Sequence, residues 1–184
     1  MKKILILLLI LLIGTGVFAL NKPRWLTLPI HVYVPQNAGS YSMLMNKAFR
    51  DWQSRTKGLV QFRYVHRQSE AHIYVKFVDR VYNCGSEFAV GCTRYENINA
   101  KGYFTQNYIE VGTNEFTVDN KGKITSTNKK YSSDSIYDIL LHEIGHAVGL
   151  GHSYDKKSIM YPSMLSTPQS ITKEDLKILE DKYR

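Results

Sequence analysis

Apolar residues recur along this chain with two periods, and each change of period marks an element. In residues 71–77, Ala71, Ile73, Val75 and Phe77 alternate with His72, Tyr74 and Lys76, as in a strand with one buried face. Residues 28–34 and 60–65 have the same character, and 93–98 and 108–112 are further strand candidates. Residues 119–122 read as a turn between two short strands. Helical spacing takes over in 41–54, where Leu44, Ala48 and Trp52 share a face ahead of a closing Gly58. It returns at Ile136, Ile139, Leu140, Ile144 and Val148, a stripe that Ser132, Ser133 or Asp134 can cap. A Thr172-to-Asp175 spacing is a variant capping box that opens a last helix. His31, His66 and His72 read most simply as ordinary outward-facing residues.

The first 19 residues break this pattern. Lys2 and Lys3 precede an unbroken apolar run over 4–13 and the small-residue site Val17-Phe18-Ala19, which predicts a cleaved secretory leader. The run is too short for a stable membrane anchor. Residues 20–184 are then one domain without linker, repeat or low-complexity stretch. Loss of the leader lysines leaves 22 basic against 16 acidic side chains. No nucleic-acid-binding motif accompanies that charge, so it reads as a solvated basic surface and a nucleic-acid partner is not expected. Export to an oxidising compartment makes a Cys84–Cys92 disulfide the expected state of the two cysteines.

The chemistry is concentrated in His142-Glu143-Ile144-Gly145-His146-Ala147-Val148-Gly149-Leu150-Gly151-His152. Residues four apart share a helix face, so His142 and His146 can aim at one metal ion while Glu143 sits at the edge of that face. His152, six residues further on, reaches the same ion only if the helix stops, and Gly149 supplies the residue that can end it in a left-handed turn. Three neutral imidazoles leave a fourth zinc position open, the arrangement of a catalytic site. Zinc there lowers the pKa of a water to about 7 and polarises a carbonyl, with Glu143 as general base.

This HExxHxxGxxH segment is the signature of the metzincin metalloproteases. Ser158-Ile159-Met160-Tyr161-Pro162 resembles the clan's Met-turn, with Met160 beneath the metal. Ser153 directly after the third His, and Tyr-Pro after the Met, resemble the matrixin family, which includes the matrix metalloproteinases. Ala48-Phe49-Arg50-Asp51-Trp52, 71–77 and 171–183 resemble that family's first helix, third strand and last helix.

The resemblance implies an α+β fold: a twisted, mostly parallel five-stranded sheet, three helices, and an active-site helix followed by the Met-turn and a C-terminal helix. It implies a monomeric zinc endopeptidase, extracellular or periplasmic, that acts on proteins or peptides. The alternative is a catalytically idle zinc-binding adhesin or inhibitor, which the presence of Glu143 and all three histidines disfavours. The segment 161–169, with Tyr161 and Pro162, is expected to wall the pocket for the residue after the cleaved bond, an apolar pocket in relatives. Asp138 falls near its floor, where it either admits a basic side chain or, more simply, faces solvent.

Two family features are expected to be missing. The histidines of a second, structural zinc are replaced in Thr93-Arg94-Tyr95-Glu96 and Tyr108-Ile109-Glu110-Val111, so one catalytic zinc is expected, with the disulfide stiffening the loop instead. Calcium sites are in doubt for the same reason. No Cys or Asp lies between Ala19 and Trp25, so a metal-blocking pro-segment is not expected in this chain.

Overall fold

The alternating segments assemble into one sheet whose helical cover carries the motif. The structure, a computed structural model, describes residues 23–35, 38–164 and 167–184; the expected leader over 1–19 lies outside the described residues. The strands are β1 (Arg24–Trp25), β2 (Ile30–Tyr33), β3 (Phe62–Val65), β4 (Ile73–Val78), β5 (Gly91–Ile98) and β6 (Tyr103–Gly112). Five of them lie in the order β5-β6-β4-β2-β3, all pairings parallel except β5 on β6. The sixth, two-residue strand β1 pairs parallel with Tyr103 and Phe104 of β6, ahead of the point where β4 joins. It is too short for periodicity to reveal, and it serves to bury Trp25. Among the described residues β5 pairs with β6 alone, and it packs against the helix that carries the motif.

Local chemistry sets the ends of these strands. β2 begins at Ile30, because Pro29 has no N–H to give a ladder. β6 reaches back to Tyr103, five residues before the apolar pattern starts at Tyr108. Its N-terminal half breaks the apolar alternation at Asn107, which is fully buried and spends its side-chain amide on Ala147 O at 3.1 Å. A separate hairpin, β7 (Asn114–Val118) with β8 (Ile124–Lys130), turns at Asp119, whose carboxylate accepts from Lys121 N and Lys123 N at 2.8 and 2.9 Å. The Cys84–Cys92 disulfide ties the loop after β4 to the start of β5.

Helices α1 (Tyr41–Arg55) and α2 (Ser133–Ala147) pack against each other on the sheet, and α3 (Lys173–Tyr183) closes the chain. The buried stripe of α1 is Met45, Ala48, Phe49 and Trp52, with Leu44 only half-buried at its margin. Trp52 keeps its indole in the core by donating Nε1–H to Leu141 O of α2 at 2.9 Å. The predicted stripe of α2 is buried throughout, from Ile136 to Val148. α3 opens with the reciprocal capping box between Thr172 and Asp175.

His72 departs from the outward-facing expectation. Its ring is half-buried between Trp25, 5.5 Å away, and His31, 4.7 Å away and nearly parallel. Alternation identifies the face a side chain takes, but not that a distant residue will cover it.

Candidate metal centre and active site

The site begins with how α2 starts and stops. Ser132 Oγ accepts from Ser135 N at 3.1 Å and caps the N-terminus. At the other end Gly149, at φ +104°, lets its own N–H reach His146 O at 2.8 Å while Leu150 N reaches Gly145 O at 2.9 Å, the paired bonds of a Schellman stop. The last carbonyls are also claimed: Ala147 O accepts from Trp25 Nε1 at 2.8 Å and from Asn107, and Val148 O from the Tyr183 hydroxyl at 3.0 Å. A helix end so completely satisfied has one exit direction, and that direction returns His152 to the face of His142 and His146.

These three side chains form the one group among the described residues suited to a metal ion, with ligand atoms all within 4.8 Å of one another. His142 Nδ1 lies 2.7 Å from Ile159 O, and His146 Nδ1 lies 3.0 Å from Leu150 O. A carbonyl can only accept, so both Nδ1 atoms carry a proton, and in the neutral rings both Nε2 atoms are bare acceptors. Those two Nε2 atoms face each other at 3.0 Å, two lone pairs with no proton between them. A shared cation resolves that juxtaposition, and an all-imidazole donor set with one open side suits zinc. Burial, chiefly, holds His142 below the ordinary histidine pKa and so favours its neutral, ligating form.

Glu143 is buried against β5. Thr93 Oγ1 donates toward Glu143 Oε2 at 2.7 Å and also lies 2.9 Å from Glu143 O. Gly91, two residues before Thr93, has to lack a side chain, since a Cβ there would collide with the Glu143 carboxylate and with Ile139. Two residues after Thr93, the Tyr95 hydroxyl donates to His146 O at 3.3 Å. One face of β5 thus grips the middle of α2. Burial pushes the Glu143 carboxyl up to about 7, and the Thr93 hydroxyl pulls against that rise. Burial, then the Glu143 charge, pushes Tyr95 up to about 12.

Met160 is fully buried directly under α2. A Cβ on Gly145 would strike its sulfur, so the glycine between the first two histidines makes room for the Met. Ser153 N donates to Met160 O at 2.8 Å, which joins the turn to the residue after His152. Ser158 Oγ accepts from Met160 N at 2.9 Å and lies 2.8 Å from both carboxylate oxygens of buried Asp175. That carboxylate also accepts from Thr172 N and Thr172 Oγ1, so the start of α3 anchors the turn beneath the metal face.

The histidines open into a cleft of about 650 Å³, and Tyr161, Pro162 and Asp138 line it together with Glu143. Asp138 is half-buried and forms part of this wall. The sequence places Thr93 in a candidate strand and in a segment without metal-binding histidines, but not beside Glu143; the alternation of Gly91, Thr93 and Tyr95 is the available signal for a shared inward face. Ser158 and Asp175 each belonged to a recognised segment, but nothing in the sequence joins the two.

The matrixin family matches residues 22–184 of this chain. A protein of Trichoplusia ni ascovirus 2c that carries the matrix metalloproteinase name is 33% identical over 122 residues, which cover 64% of this chain and 24% of that protein. Macrophage metalloelastase of Rattus norvegicus is 26% identical over 141 residues, 76% of this chain and 28% of its own length. Matrix metalloproteinase-15 of Homo sapiens is 30% identical over 157 residues, 79% of this chain and 22% of its own length. The chain spans about a quarter of the length of these relatives. With a metzincin zinc motif, a Met-turn and a mostly parallel sheet behind them, the chain belongs to the matrixin family of zinc-dependent metalloproteases.

Proposed function

We propose that residues 20–184 are a secreted endopeptidase in which Glu143 is the general base for hydrolysis of a peptide bond. The observation that carries this reading is a buried carboxylate, held by Thr93 next to two converging bare imidazole nitrogens. His142, His146 and His152 would hold the zinc. Bound there, zinc would supply Lewis acidity toward the scissile carbonyl and toward the attacking water.

The chain's own residues manage the proton. Glu143 takes it from the water as the oxygen–carbon bond forms, and delivers it to the amine nitrogen as the carbon–nitrogen bond breaks. The products are a carboxylate and a free amine. Burial raises the carboxyl's affinity for the proton, which suits taking it from the water, and the zinc charge beside it would favour its release to the amine. Met160 supports the imidazoles from below, and Tyr161, Pro162 and Asp138 contribute the pocket beside them.

The secretory leader pattern and the disulfide support action outside the cytoplasm. No helix among the described residues is long and apolar enough to cross a membrane. The site is complete within one chain, which supports a monomer. One zinc per chain is supported by the residues that replace the second zinc's histidines, where Arg94 and Glu110 form an ion pair at 2.8 Å. The disulfide then does the bracing of that loop.

The reading is tested by cleavage of an unfolded protein substrate. A zinc chelator should abolish it and added zinc restore it. Cleavage that persists in the chelator, at undiminished rate and with zinc removed, refutes the reading.

A further inference from the structure

The protein side chains that line the cleft differ in charge from the rest of the chain. Lys and Arg outnumber Asp and Glu by 24 to 16, yet no Lys or Arg lines the cleft, while Asp138 and Glu143 both do. Glu143 is engaged by Thr93. Asp138 has no hydrogen-bond or ion-pair partner among the described residues, and its charged neighbours are Asp134 and Lys47. Lys47 belongs to α1 and is otherwise occupied, with Nζ 3.3 Å from Asp51 and 3.5 Å from the centre of the Tyr137 ring. Burial, then the charge of Asp134, raises the Asp138 pKa, the mark of a carboxylate short of a counter-charge.

Its position places this deficit where a substrate side chain arrives. Asp138 precedes His142 by four residues on α2, one helical turn or about 6 Å along the axis. Across the same cleft stand Tyr161, Pro162, Met164 and Gln169, from the segment expected to wall the pocket for the residue after the cleaved bond. The long stem of a Lys or Arg can lie along those walls and bring its cation to the carboxylate. A Leu in the same place leaves the carboxylate half-desolvated and unpaired.

We propose that Asp138 sets the substrate class, selecting proteins and peptides with Arg or Lys at the residue after the cleaved bond. This inference rests on the peptidase reading above, and its test separates the two. Two peptides that differ only at that residue, Arg in one and Leu in the other, are compared by kcat/KM with the wild type, Asp138→Asn and Asp138→Glu. The same peptides, fluorescently labelled, are titrated into zinc-loaded Glu143→Ala and Glu143→Ala/Asp138→Asn proteins.

The wild type should favour Arg over Leu by about tenfold or more, Asp138→Asn should lose most of that ratio, and Asp138→Glu should keep it. The binding preference of the Glu143→Ala protein should fall in parallel. A Leu preference, or an Arg preference that Asp138→Asn leaves intact, overturns the inference while the peptidase reading stands. Arg-selective binding that Asp138→Asn removes, with no cleavage by the wild type, supports the inference and overturns the peptidase reading.

Discussion

Thr93 Oγ1 lies 2.7 Å from Oε2 of Glu143, a strand hydroxyl holding the carboxylate that follows His142 in the three-histidine site. Gly91, on the same strand face, admits the carboxylate by having no side chain. The pair therefore fixes where the Glu143 carboxylate sits without adding a charge to it.

Replacing Thr93 with Val keeps the shape and removes the donor. A net hydrogen bond of about 1 kcal/mol corresponds to a loss of about fivefold to tenfold in kcat, with KM nearly unchanged. Thr93→Ser should recover most of the rate. Equal losses in both variants, or a change confined to KM, would assign Thr93 to packing alone.

Ser158 and Asp175 tie the Met-turn to α3 through a buried contact at 2.8 Å. Ser158→Ala leaves one of the Asp175 carboxylate's partners missing and Met160 N without its acceptor, for a destabilisation of about 1–3 kcal/mol. Thermal unfolding should show the melting temperature falling by several degrees. An unchanged melting temperature would mean that the turn is held by its apolar contacts.

His72 gives the fold a pH dependence. Its Nδ1 accepts from His31 N at 3.1 Å, which requires the neutral ring, and burial lowers its pKa, with smaller contributions from His31 and Arg63. The folded pKa lies below the unfolded value of about 6.5, so the unfolded chain binds the proton more tightly. Stability is full above pH 6.5 and is lost as pH falls through the folded pKa. Urea midpoints at pH 7.5 and 5.5 should differ, and His72→Gln should narrow the difference. A midpoint gap as wide in the variant would place the titration elsewhere.

Metal content bears on the loop between β4 and β5. One zinc per chain is expected by elemental analysis, with none in His142→Ala/His146→Ala protein. Removing the Cys84–Cys92 disulfide, which spans eight residues, should cost about 2 kcal/mol. Two zinc ions per chain would show that the loop is braced by metal after all.

What the sequence could disclose follows from how far apart the partners lie. His142, Glu143, His146, Gly149 and His152 fall within eleven residues, so helix geometry alone brings the first three into reach of the metal and calls for a turn, at Gly149, that brings His152. The Thr172–Asp175 box was legible for the same reason. Thr93 and Glu143 are 50 residues apart, Asn107 and Ala147 are 40 apart, and no local spacing links either pair. β1 escaped notice because two residues carry no period. His72 lies just ahead of β4, and its surroundings are not legible locally, since Trp25 covers it from 47 residues away in sequence.

In the proposed mechanism Glu143 moves the proton while the histidines hold the zinc. It is tested most directly by kcat/KM of Glu143→Ala on a peptide substrate, with zinc content measured in the same preparation. The account predicts full zinc occupancy and a fall of about a thousandfold or more, within the range of a lost general base. Activity within about tenfold of the wild type at equal zinc content would contradict it.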